Sequence, residues 1–511
     1  MFGGEGYVGF LKRMPGVAGP IQRMTFKQKL KWTAIVLLLY FMLAQIPAYG
    51  IAETNFENLR FLEILLGSSF GSVMTLGIGP IVTASIILQL LVGSKIIGWD
   101  LRSERGKVMF QGTQKLLAIL FSFLEAGIYV ILGAIPAEAG LAIFVILQLA
   151  IGGVLVLFMD ELVSKWGLGS GVSLFIVAGV AKTILVRAFN PLTQAGALPT
   201  AGNPPAGIIP FAITTIAAGE PLQAMLSFLP IVATAIVFFI VIYANAIKVE
   251  IPLAFGSIRG FGRRWPLKFF YTSNIPVILT AALLANVQLV GRSLSATAPW
   301  IAEFDSQGQV TGGLLYFVTV PSSDALMGYM ITIGAFALLG IIVAYFAKKR
   351  PLTITAVFAV LGGIAWYAFA ASFGLTSLTS IAAMDLLRMF TYLIFMVVGA
   401  VVFSVFWVAT AGMDAHSVSE QIHSTGMQIP GYRRDVRIIE SVLGRYIMPL
   451  AVLGAIAVGA LAAYADFTNA LGTGTGILLS TLIIYNLYED IAAKHMEDMH
   501  PALRKIIGKG A

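Results

Sequence analysis

The residue types that could do chemistry in this chain are few, and their spacing rules out more than it permits. There is no cysteine among the 511 residues, which removes disulfides, thiolate metal sites and cysteine nucleophiles together. The four histidines, His416, His423, His495 and His500, lack the spacing that sets two imidazoles and a general base on one helix face. Three glycine-rich runs, GIGP at 77–80, GLGSG at 167–171 and GTGTG at 472–476, each precede an aliphatic stretch. A phosphate cradle needs Lys and then Ser or Thr after its last glycine, and none of the three supplies them. Small residues at such points instead let helix backbones converge closely. Glu125 is a carboxylate deep in an apolar segment; such an acid is a functional candidate on energetic grounds, but a hydrogen-bonded helix contact explains it equally well. Asp385 and Arg388, three apart, can simply pair. Arg259, Arg263, Arg264 and Lys268 form one basic cluster and Arg433, Arg434 and Arg437 another. Both would suit a phosphate-rich surface, with salt-sensitive affinity, and anchoring at a membrane face accounts for the same charges. No catalytic set, metal site or cofactor site emerges.

The elements that hold these residues are set by composition. With 58% hydrophobic against 11% charged residues, the chain reads as an all-α polytopic membrane protein whose main solvent is lipid. Apolar segments near 32–50, 72–92, 115–135, 140–159, 171–188, 224–247, 270–291, 325–347, 353–374, 384–410, 446–465 and 474–489 predict twelve spans. Six basic residues precede the first of them without a cleavage pattern, so that run is expected to stay as an anchor. Threading the chain from a cytoplasmic N-terminus puts all but Arg60, Lys182, Arg187, Arg292 and Arg388 of the 33 Lys and Arg on the inner side. The positive-inside rule then places both termini in the cytoplasm of a cell membrane. The loops 189–223 and 292–324, rich in Gly, Pro, Ala and Thr, are expected to pack over the outer face. The stretch from Phe56 to Phe70 is too short and too polar to cross a bilayer. Its Phe56, Leu59, Leu62 and Leu66 fall at helical spacing while Glu57, Arg60 and Glu63 take another face. A half-helix of that kind lies at a surface or dips into a wet cavity within protein, and a discontinuous helix points to a pore or binding site.

The runs KLKWTAIVLLLYF, LGIGPIVTASIILQLLVG, FQGTQKLL, MDELVSKWGLGSGVSLFIVAGV, VEIPLAFG, SNIPVILTAALLANVQL, FWVATAGMD and ALGTGTGILL resemble, in the same order, the SecY family of protein-translocation channels. GIGPIVTASI makes the archaeal and eukaryotic branch the nearer match. The resemblance implies a clamshell of ten helices in pseudo-twofold halves, here 1–189 and 190–511, around an hourglass pore. It implies a pore ring of Ile78, Val82, Val172, Ile176, Ile278 and Leu479, all aliphatic here, and a plug at about 56–70. A narrow apolar collar lets a polypeptide slide yet offers an ion nothing to replace its hydration. Thr83, Gln114 and Asn286 match the polar cluster of the lateral seam through which signal sequences leave for lipid, and the two basic clusters match loops that contact the ribosome. Implied partners are SecE-type and Sec beta-type small subunits, the ribosome, signal sequences and nascent chains, and membrane lipid; no cofactor and no enzymatic activity is implied.

The match lapses between about Ser322 and Ala383, where the spans 325–347 and 353–374 stand as an extra helical hairpin with a basic turn at Lys348, Lys349 and Arg350. A secondary transporter, which also uses broken helices, is the alternative. It would set convergent polar ligands at the midplane, where this chain has aliphatic residues. A membrane-embedded hydrolase or transferase would need a nucleophile, metal or phosphate cradle at workable spacing.

Overall fold

Apolar runs place the helices of this protein, and side-chain caps extend some of them. The computed structural model describes residues 5–22, 24–52, 69–101, 103–133, 135–193, 197–200, 202–255, 262–295, 298–304, 310–321, 323–347, 351–424, 427–428 and 435–498. In chain order the helices are α1 (Glu5–Arg13), α2 (Phe26–Leu43), α3 (Gly79–Gly93), α4 (Glu104–Ile131), α5 (Ala142–Trp166), α6 (Gly171–Phe189), α7 (Ile208–Ala217), α8 (Pro221–Ser227), α9 (Leu229–Asn245), α10 (Ile275–Leu294), α11 (Asp324–Ala347), α12 (Pro351–Ser372), α13 (Ala383–Thr410), α14 (Ala415–Ser424), α15 (Val436–Phe467) and α16 (Gly474–Asp498). The strands are β1 (Lys248–Phe255), β2 (Gly262–Lys268), β3 (Glu303–Phe304), β4 (Val310–Gly312) and β5 (Met427–Gln428).

Each expected apolar segment overlaps a helix. Among the described residues, nine helical stretches are long and apolar enough to cross a membrane. Outside that set, α3 has only 15 residues, and α2 and α16 carry Lys, Asp or Glu in their polar end turns. Several helices run past their apolar cores. The Ser103 hydroxyl accepts from the Gly106 amide at 3.0 Å and starts α4 well before its apolar run. The Asp435 carboxylate accepts from the Arg437 amide at 2.9 Å and does the same for α15. Such caps satisfy amides that the first helical turn leaves open.

The chain divides into two compact units, one from Met1–Gly179, Ala282–Ala296 and Ser480–Ala511, the other from Val180–Ala281 and Thr297–Leu479. In the first, α3, α4 and α5 pack together, and α1 rests on α4 through Leu11, which lies against Gly112, and through a 2.7 Å hydrogen bond between the Tyr7 and Thr113 hydroxyls. The segment after α1 is strapped to the end of α5: the Trp166 ring N–H donates to the Ala18 carbonyl at 2.7 Å and the Lys165 ammonium to that of Val17 at 2.5 Å, while Lys115 of α4 and Lys165 both pair with Glu161, at 2.6 and 2.7 Å.

In the second unit, β1 and β2 run antiparallel from Lys248↔Lys268 to Ala254↔Gly262, and β5 joins the other edge of β1 at Ala254↔Gln428 and Phe255↔Met427. Ile251 and Leu267 of this sheet are buried with Val408 of α13, Ile422 of α14, and Ile439 and Leu443 of α15. Elsewhere in the unit, β3 and β4 form a small hairpin over Ala302, Val310 and Leu315. The Arg388 guanidinium, buried near the start of α13, donates to the carbonyl and hydroxyl of Thr319 at 2.9 and 2.6 Å and lies 4.5 Å from the centre of the Tyr316 ring. Asp385, three residues away, still acts on Arg388 electrostatically, while the planar guanidinium satisfies two acceptors and an aromatic face at once.

Helices α11 and α12 pack against each other over much of their length. Three glycines make the approach possible: a Cβ on Gly328 would lie 2.0 Å from the Trp366 ring, one on Gly362 would lie 2.7 Å from the Thr332 carbonyl oxygen, and one on Gly340 would lie 2.9 Å from the Thr355 Cα. The pair is tied to the segment that follows it, since the Trp366 N–H donates to the Leu378 carbonyl at 3.2 Å and the Tyr329 hydroxyl to that of Thr379 at 3.0 Å.

Candidate functional site

The six aliphatic residues singled out in the sequence share one local setting: all sit at the cap or within the first two turns of a helix opened by glycine, proline or asparagine. In the first unit, Ile78 caps α3, which begins Gly79-Pro80, and Val82 follows one turn later with its amide on the Ile78 carbonyl at 3.1 Å. Val172 and Ile176 occupy the first two turns of α6. In the second unit, Ile278 lies in the first turn of α10, its amide bonded to the Asn274 carbonyl at 3.1 Å, and Leu479 in the second turn of α16. None of the six is exposed; Val172 is half-buried and the others are buried, Ile78 completely.

Of the polar residues expected to cluster, the first unit brings two together and adds two more. The Thr83 hydroxyl of α3 donates to Glu125 Oε1 of α4 at 2.7 Å and accepts from Asn286 Nδ2 of α10 at 2.9 Å. Asn286 Oδ1 in turn accepts from the Tyr129 hydroxyl of α4 at 3.1 Å. Glu125 and Tyr129 are buried, and Glu125 Oε2 has no hydrogen-bond partner among the described residues. Gln114 is on the same helix as Glu125, and its place follows from helix geometry. It lies about 16 Å earlier along the axis but only about 20° away around it. It therefore shares their face of α4 at another depth.

The basic residues are partly described. Arg263, Arg264 and Lys268 lie on β2, with Arg263 opposite Leu253 and Arg264 opposite Pro252, and Arg437 is exposed in the first turn of α15. Arg259, Arg433 and Arg434 lie outside the described residues, as do Phe56, Leu59, Leu62 and Leu66. The three-stranded sheet joins the strands that flank both basic loops, because β5 ends shortly before the second loop and pairs with β1, which ends at the first. No group of three or more metal-ligating side chains occurs among the described residues. His416 instead sits between Glu420, at 3.1 Å, and Glu440, at 2.8 Å.

Sequence reasoning passed over two carboxylates. Asp160 and Asp466 each accept hydrogen bonds from the opening turn of the next helix, Asp160 from the Val172 amide at 2.9 Å and Asp466 from the Thr475 amide at 2.7 Å. The signal was present: each acid lies shortly before a glycine-rich turn and an aliphatic helix.

A family model described as SecY matches residues 72–488. The protein translocase subunit SecY of Methanothermobacter thermautotrophicus is 41% identical over 501 residues, which cover 97% of each chain. Among solved structures, a protein-conducting channel superposes with a TM-score of 0.75 at 37% identity, over 97% of this chain and 98% of that one. Sec61 in a canine ribosome-channel complex from the endoplasmic reticulum superposes with a TM-score of 0.73, also at 37% identity and with the same coverage.

Proposed function

Because the chain belongs to the SecY family, we infer that it is the pore-forming subunit of a protein-conducting channel, passing secretory polypeptides across the membrane and releasing transmembrane segments sideways into lipid. The observation that carries this reading is the common placement of Ile78, Val82, Val172, Ile176, Ile278 and Leu479 in opening helical turns, with none exposed. Six such aliphatics form the constriction: they grip a threading chain through dispersion alone and strip an ion of water without replacing it. A secondary transporter would need polar ligands in their place.

The seam for sideways release is held by Thr83, Asn286, Glu125 and Tyr129, with Gln114 farther along the same face of α4. Hydrogen bonds between uncharged side chains in a membrane contribute about 0.6–1.7 kcal/mol each, enough to bias a two-state seam without locking it. The segment 56–70 is the plug. The basic loops carrying Arg259, Arg263, Arg264, Lys268, Arg433, Arg434 and Arg437 bind the ribosome, as the matched Sec61 channel occurs in a ribosome complex. SecE-type and Sec beta-type subunits complete the channel. The halves are 1–189 and 190–511, and the chain spans the cell membrane twelve times with both termini in the cytoplasm. In that topology α11 and α12 are a hairpin added to the family's ten helices.

The chain has no cysteine, so a single Ile278→Cys channel provides a clean test. A ribosome-stalled secretory chain should cross-link to that position, and should not cross-link to a cysteine placed on the exposed side of α12. Equal labelling at both would defeat the pore assignment.

A further inference from the structure

The two compact units repeat one arrangement of hydrogen bonds around the glycine-rich turn that precedes a ring-bearing helix. In the first unit the Leu168 amide donates to the Thr33 hydroxyl of α2 at 3.0 Å, and that hydroxyl donates four residues back to the Lys29 carbonyl. In the second unit the Leu471 amide donates to the Thr234 hydroxyl of α9 at 2.9 Å, and that hydroxyl donates four residues back to the Pro230 carbonyl. One residue further on, Gly169 and Gly472 both adopt the left-handed conformation, with φ of 75° and 77°. The chain then turns into Gly171-Val172 and Gly474-Thr475, whose amides bond Asp160 and Asp466. The glycines allow this: a Cβ on Gly171 would lie 2.5 Å from the Asp160 Cα, and one on Gly474 would lie 1.7 Å from the Ala465 carbonyl carbon. Aligned this way, GLGSGV falls on ALGTGT, and Ile176 and Leu479 stand at the same register, one turn beyond the amide that each aspartate holds.

We propose that Asp160 and Asp466, each seconded by its threonine, are positioning residues that set the height and rotation of α6 and α16 and so hold Ile176 and Leu479 in the constriction. The inference rests on the pore reading above. A carboxylate at a helix N-terminus meets open amides and the positive end of the helix dipole. A local cap leaves the helix free to move as a body, whereas a carboxylate supplied by the preceding helix ties the two together within hydrogen-bond tolerance. The arrangement in the second unit is the stiffer. Asp466 Oδ2 also accepts from the Thr475 hydroxyl and, at 2.8 Å, from the hydroxyl of the fully buried Tyr392 on α13.

The test is the resting ion conductance of the full chain, reconstituted in planar bilayers with the subunits that copurify with it. Asp160→Ala and Asp466→Ala each remove at least two hydrogen bonds and should raise the leak per assembled channel about tenfold. Asp→Asn, which keeps an acceptor oxygen, should recover most of the seal. If an alanine channel fails to assemble, Thr234→Val removes the acceptor of the Leu471 amide and Thr475→Val removes one donor to Asp466, and both should leak measurably. Assembled alanine or valine channels as tight as the parent, beside a leaking Leu479→Asp control, would overturn the positioning role and leave the pore reading standing. A sealed Leu479→Asp channel would remove the pore reading, and this inference with it.

Discussion

Thr83 on α3 and Glu125 on α4 are joined by a 2.7 Å hydrogen bond, and the same Thr83 hydroxyl accepts from Asn286 on α10. One hydroxyl therefore links three helices of the first unit. A Thr83→Val, Asn286→Leu double-mutant cycle should show a coupling of about 0.6–1.7 kcal/mol in the unfolding of the detergent-solubilised protein. Glu125→Gln, which keeps the shape and an acceptor for Thr83, should cost less than Glu125→Leu. A coupling near zero would mean that the three groups are neighbours without energetic consequence.

Charge in the constriction is the next expectation. On the proposed pore reading, Ile78→Asp or Val82→Asp places a hydrated carboxylate in an aliphatic collar, so the membrane should leak small ions while the protein still assembles. Uptake lost without leakage would point instead to a transporter.

Arg388 tests the packing of the small hairpin and its flanks in the second unit. Arg388→Lys keeps the charge but loses the planar fork that meets Thr319 and the stacking on Tyr316, at a cost of about 2 kcal/mol. Limited proteolysis between 298 and 321 should speed up accordingly.

The proposed ribosome contacts of the basic sheet loops can be tested by charge removal. Arg263→Ala and Arg264→Ala should each weaken binding and flatten its salt dependence by about 0.7–0.9 in log–log slope per lost phosphate contact. Weaker binding with an unchanged slope would mean that these arginines shape the hairpin and do not touch phosphate.

Much of this was legible in the sequence, and the misses have physical causes. Apolar runs place the helices because burial in lipid leaves a helix no alternative. They say nothing of where α4 and α15 start, since Ser103 and Asp435 act in polar sequence beyond the apolar core. Gln114 and Glu125 fall on one helix face about 16 Å apart along the axis, and spacing alone does not say at which of the two depths Thr83 and Asn286 meet α4. Asp160 and Asp466 look like ordinary helix-end acids until the chain is folded back on them. The glycine-rich turns were visible as places where helices converge, but which carboxylate each turn admits is a tertiary fact.

The glycine seam between α11 and α12 also bears on how the protein is made. Gly328→Leu should drive a side chain into Trp366, costing about 1–3 kcal/mol through overpacking, and Trp366→Ala in that background should recover part of the loss. Two helices that meet this closely, with only three residues of sequence between them, can associate as soon as the second emerges from synthesis. This stretch of chain would then enter the bilayer as a prefabricated couple, with its mutual surfaces already hidden from lipid before the remaining helices arrive.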